Sequence, residues 1–117
     1  MENENGAERL KRRYERLASR LAKLGPVVQG TITARTITKE DPQHPGQTKT
    51  IGPYYQWTFK RNAKTVTVNL SAQQSKQYQK AIDNNHKAET LLAQMRELSL
   101  EILNETTQGV AKRNRSK

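Results

Sequence analysis

From Gly6 to Leu24 the apolar residues recur four and three apart, at Leu10, Tyr14, Leu17, Leu21 and Leu24. That spacing is the seam of a helix lying lengthwise on another helix, and Gly25-Pro26 ends it. The period then changes. Val27 to Thr38 is rich in Val, Ile and Thr, with Ile32 and Ala34 on one phase, and predicts a first strand. Lys39 to Gly52 holds two prolines and two glycines and predicts a loop.

Pro53 to Leu70 carries the sharpest alternation. With Asn62-Ala63 as a two-residue turn, Phe59 falls opposite Val66, Trp57 opposite Val68 and Tyr55 opposite Leu70, all on one face. The other face pairs Thr58 with Thr67 and Gln56 with Asn69. Asn-Gly is the preferred chemistry for such a turn, so Ala63 must either take a positive φ at some cost or force a longer loop.

Ser71-Ala72-Gln73-Gln74 has the capping-box pattern and opens a second helix reaching to about Thr107. Its apolar stripe is sparse at first (Tyr78, Ile82, Ala88) and dense later (Leu91, Leu92, Met95, Leu98, Ile102, Leu103). Some 35 residues of helix span about 50 Å, so one end must project past a small sheet unless the first helix or a second subunit covers it. The expected fold is α+β: a basic N-terminal helix (1–25), a small antiparallel sheet of two or three strands with a long C-terminal helix (26–108), and a basic tail (109–117). The aromatic face packs on the first half of the long helix. Leu91, Leu92, Met95, Leu98 and Ile102 pair with the seam of Leu10, Leu17 and Leu21, or with a second copy.

Composition narrows the chemistry. Only 32% of the 117 residues are hydrophobic, and 21 Lys and Arg against 11 Asp and Glu leave a net charge of +10. Such a charge draws the chain toward polyanions, nucleic acid first, with anionic membrane or an acidic protein as other partners. The charge is segregated. Residues 1–25 hold seven cations against four acids, 49–64 hold four against none, and 112–117 hold four against none, whereas 71–111 carries four against five. The absence of cysteine excludes disulfides and thiolate metal sites. No signal-peptide core and no membrane-length apolar run is present, which predicts a cytoplasmic protein without a membrane partner.

Catalysis finds little footing. His44 lies in the Pro-rich loop and His86 stands alone on the long helix, with no spacing that suggests a metal site or triad. Gly46-Gln47-Thr48-Lys49-Thr50 lacks P-loop spacing. No enzyme activity, cofactor or metal is expected. The candidate phosphate-contacting residues are Arg12, Arg13, Arg16 and Arg20 on the first helix, Lys60, Arg61 and Lys64 at the hairpin tip, and Arg113 and Arg115 in the tail. A two-stranded ribbon can enter the major groove, although most hairpins simply end in a hydrophilic turn. Tyr55, Trp57 and Phe59 are explained by the core, whereas Tyr54 on the opposite face is a candidate for stacking on a base.

The segment from Ile51 to Glu105, with Gly52-Pro53-Tyr54-Tyr55, the basic hairpin around Asn62 and the Leu-rich stretch from Leu91 to Leu103, resembles an uncharacterised family of small bacterial proteins encoded beside or within transposase-bearing mobile elements. Relatives commonly carry a cysteine-containing segment before the Gly-Pro-Tyr-Tyr and a glycine where Ala63 stands; this chain has neither. The resemblance implies association with mobile DNA and supplies no activity or binding residues. Three readings follow: a non-catalytic accessory protein that binds nucleic acid, DNA in preference to RNA; a helical module that forms a homodimer or binds a transposase partner; and an RNA-binding protein that uses Tyr54.

Overall fold

The computed structural model describes residues 6–107. Its order is α1 (Gly6–Ala22), β1 (Thr31–Glu40), β2 (Thr48–Arg61), β3 (Lys64–Leu70) and α2 (Ala72–Thr106), with an antiparallel sheet in the order β1-β2-β3. This is the α+β architecture expected. No described helix is long and apolar enough to cross a membrane.

The hairpin between β2 and β3 has the register that the alternation requires, with Tyr55 opposite Leu70, Trp57 opposite Val68 and Phe59 opposite Val66. Its turn is as tight as two residues allow. Asn62 and Ala63 both take positive φ, 52° and 66°, the pairing that matches the right-handed twist of the flanking strands. Asn tolerates that region; Ala63 does so against its Cβ.

The first strand and the loop after it depart from expectation. β1 starts at Thr31, because Gly30 turns the chain with φ 115° and lies so close to the Thr58 carbonyl oxygen that no Cβ fits there. Val28 instead gives its N–H to the Ala81 carbonyl at 3.2 Å, and the Pro26 carbonyl accepts from Asn84 Nδ2 at 3.0 Å. Residues 37–40 and 48–51, expected as loop, extend the β1–β2 ladder into a two-stranded arm. Of the two prolines and two glycines that suggested a loop, Pro42, Pro45 and Gly46 lie in the connection between the strands, and Gly52 sits with Pro53 in a bulge between the pairs Arg35–Tyr54 and Ile37–Ile51. A proline costs no ladder bond at a bulge. Gly52 takes φ 110°, and a Cβ there would lie 2.8 Å from the Arg35 carbonyl oxygen. The arm closes over 41–47, where Asp41 accepts from the Gln43 amide at 3.0 Å and its other oxygen lies 3.0 Å from His44 Nδ1.

α2 opens with the reciprocal cap: Gln74 N–H donates to Ser71 Oγ at 3.1 Å, and Ser71 N–H donates to Gln74 Oε1 at 2.9 Å. Although α2 is continuous, the chain divides into two compact units. One is Gly25–His86; the other joins α1 to the part of α2 from Lys87 onward. In the first unit the sheet's aromatic face meets the start of α2, with Trp57 edge-on to Tyr78 at 5.0 Å, and Leu70, Ala81 and Ile82 are buried. Two polar groups share that core and both are satisfied, Ser75 Oγ donating to the Ala72 carbonyl at 2.7 Å and Asn84 to Pro26. In the second unit α1 runs antiparallel to α2. Gly6 lies beside Glu105, Leu17 lines a groove with Leu98, and Leu24 lines one with Leu91.

Candidate nucleic-acid interface

Strand alternation and the two registers assemble a three-strand polar surface opposite the aromatic face. Thr31, Thr58 and Thr67 form one row across it, and Thr33, Gln56 and Asn69 form the next. Neighbours within the rows bond to each other, Gln56 Nε2 donating to Asn69 Oδ1 at 3.2 Å and the Thr58 and Thr67 hydroxyls lying 3.4 Å apart. These bonds hold the side chains in place and leave each amide and hydroxyl with further donor or acceptor capacity. Arg35 and Tyr54 lie opposite each other at one end of the surface, and Lys60 pairs with Thr65 at the other. Lys60 lies six residue steps along the strand from Tyr54, which is about 20 Å. No carboxylate occurs from Thr48 to Leu70, so nothing on β2 or β3 offsets the cations.

At the hairpin tip the charges divide between the two faces. Lys60 points with the polar rows, whereas Arg61 and Lys64, a cross-strand pair, share the phase of Phe59. There a stack extends outward from the core. Trp57 and Phe59 lie face to face at 3.9 Å and 20° between planes, and the Arg61 guanidinium sits over Phe59 at 5.5 Å. The Trp57 indole N–H donates to the Gln29 carbonyl at 2.8 Å. Core packing thus accounts for Trp57 and Phe59, and it also orients Arg61 through a cation–π contact.

The first helix is a different environment. Arg13, Arg16 and Arg20 line one groove with Gln94, Leu98 and the carboxylates Glu97 and Glu101 of α2. Positive and negative walls face each other there, and the local field is mixed. Arg12 is an exposed residue of the same helix. Of the seam, Leu10, Leu17 and Leu21 are half-buried; of its α2 partners, Leu91, Met95 and Leu98 are buried, and Leu92 and Ile102 are half-buried. Arg113 and Arg115 lie outside the described residues.

Sequence reasoning missed Arg35, Thr31 and Thr33. Their phase was readable, since Ile32 and Ala34 alternate with them, but the β1–β2 register that sets Arg35 beside Tyr54 was not. Among the described residues no cluster of His, Asp or Glu could hold a metal ion. Comparison with protein-family models, curated proteins and solved structures finds no match to this chain, so the chemistry of these surfaces carries the functional reading.

Proposed function

We propose that the protein is a non-catalytic nucleic-acid-binding protein whose first ligand is duplex DNA, and that the polar face of its sheet and the tip of its hairpin form the contact surface. The observation that carries this reading is the acid-free surface bounded by Arg35 and Tyr54 at one end and Lys60 at the other, with amide and hydroxyl groups between them. Cations at the ends attract phosphates; the rows between supply hydrogen bonds to phosphate oxygens or base edges. Arg61 and Lys64 add charge at the tip. The resemblance to proteins of transposase-bearing elements fits a role as an accessory of mobile DNA.

Charge reversal is the test. Arg35→Glu with Lys60→Glu lowers duplex affinity by about a hundredfold, as expected for two phosphate contacts turned repulsive, while Arg16→Glu, on the groove that already holds Glu97 and Glu101, lowers it less. Equal losses from both variants would favour bulk charge over a defined surface. Competition with single-stranded RNA separates this reading from RNA binding through Tyr54.

A second reading treats the helical unit as a protein-interaction module, for self-association or capture of a transposase partner. Leu100 and Leu103 favour it: they are 64% and 54% exposed on the same part of α2 that packs against α1, and α1 itself buries no residue completely.

A further inference from the structure

The aromatic side of the hairpin tip borders an open cleft. Val27, Val28 and Gln29 form one wall, Trp57, Phe59, Lys60 and Arg61 the other, and Asn85 of α2 lines it as well. Its volume is about 410 Å³, within the range of roughly 300–1,000 Å³ of small-ligand sites. From these residues we infer that the cleft receives a single unpaired nucleobase, a specificity that rests on the nucleic-acid reading above and extends it.

Three features select that occupant. The first is a flat stacking surface with a replaceable cover: Phe59 stacks on Trp57 at 3.9 Å, and the exposed Arg61 guanidinium lies over the Phe59 ring at 5.5 Å. Successive stacked bases are about 3.4 Å apart, so an outward swing of the guanidinium by one to two ångströms, roughly, opens a slot between ring and cation. The second is a hydrogen-bonding edge. Asn85 is half-buried, and its side-chain amide offers the paired donor and acceptor that match a base edge. The indole N–H of Trp57, already given to Gln29, does not compete. The third is charge: Lys60 and Arg61 stand at the rim and no lining residue is acidic, which suits the phosphate attached to the base and disfavours an acidic peptide. Stacking with hydrogen bonds to an unpaired base is how proteins read nucleotides outside a duplex.

The test uses the full chain with two probes, a blunt duplex and the same duplex carrying one unpaired 2-aminopurine nucleotide. The unpaired probe binds about tenfold tighter, and its fluorescence is quenched as the base stacks. Asn85→Ala, which preserves the charge of the chain, brings the two affinities within about twofold while leaving blunt-duplex binding in place. Equal wild-type affinities with no quenching, or a preference that survives Asn85→Ala, overturn the cleft as a base site and leave duplex binding intact. Failure to bind either probe overturns the nucleic-acid reading itself.

Discussion

The Trp57 indole N–H donates to the carbonyl of Gln29, 28 residues earlier in the chain, at 2.8 Å. One ring therefore fixes the segment leading into β1, meets Tyr78 of α2 edge-on and supports Phe59. Trp57→Phe retains an aromatic ring but removes the donor and part of the stacking area. The expected loss is about 1–2 kcal/mol, read as a lower urea midpoint by circular dichroism.

Asn84 extends the same tether. It is 7% exposed and its amide donates to Pro26 at 3.0 Å, beside the Val28 to Ala81 backbone bond. Asn84→Ala removes the donor and opens a small void, and costs about 1–3 kcal/mol. Asn85→Ala, one residue on and half-buried, leaves the urea midpoint nearly unchanged. The contrast separates a structural asparagine from one available to a ligand.

Ala63 gives the opposite sign. Its φ of 66° opposes its Cβ, and the relief available to glycine, roughly 1–2 kcal/mol, exceeds the extra chain entropy that glycine loses, about 0.5–1 kcal/mol. Ala63→Gly raises the stability of the folded protein by about 0.5–1 kcal/mol in the same urea melts.

These relationships also mark what sequence could and could not disclose. Phe59, Trp57 and Tyr55 meet Val66, Val68 and Leu70 because a half-buried hairpin writes its register as alternation, and Ser71 with Gln74 writes a helix start locally. The arm formed by 37–40 and 48–51 writes neither. Its residues are exposed on both faces, so no apolar period marks it, and Gly52-Pro53 suggests a break where the strand instead bulges. Arg35 was overlooked because its place beside Tyr54 follows from the pairing of β1 with β2, whose register the alternation within β1 does not disclose. The mixed groove of Arg13, Arg16 and Arg20 was hidden as well, since segment totals do not disclose that Glu97 and Glu101 line it.

The exposed leucines of α2 make a separate prediction. If the helical unit associates with a second copy, light scattering gives a mass near twice the chain's 13.4 kDa, and Leu100→Gln with Leu103→Gln returns it to the monomer value. Because both side chains are mostly exposed, the double substitution shifts monomer stability by no more than about 0.5 kcal/mol.

The central claim, that the sheet and hairpin tip bind nucleic acid through phosphate contacts, is tested most directly by fluorescence anisotropy with a labelled duplex titrated across about 50–200 mM salt. The wild type is expected to bind at micromolar concentration or tighter at the low end, with log K falling steeply against log salt. Replacing Lys60, Arg61 and Lys64 by Ala reduces that slope by about 2.7, or 0.9 for each contact. Affinity no better than millimolar at low salt, or an unchanged slope in the triple variant, contradicts the claim.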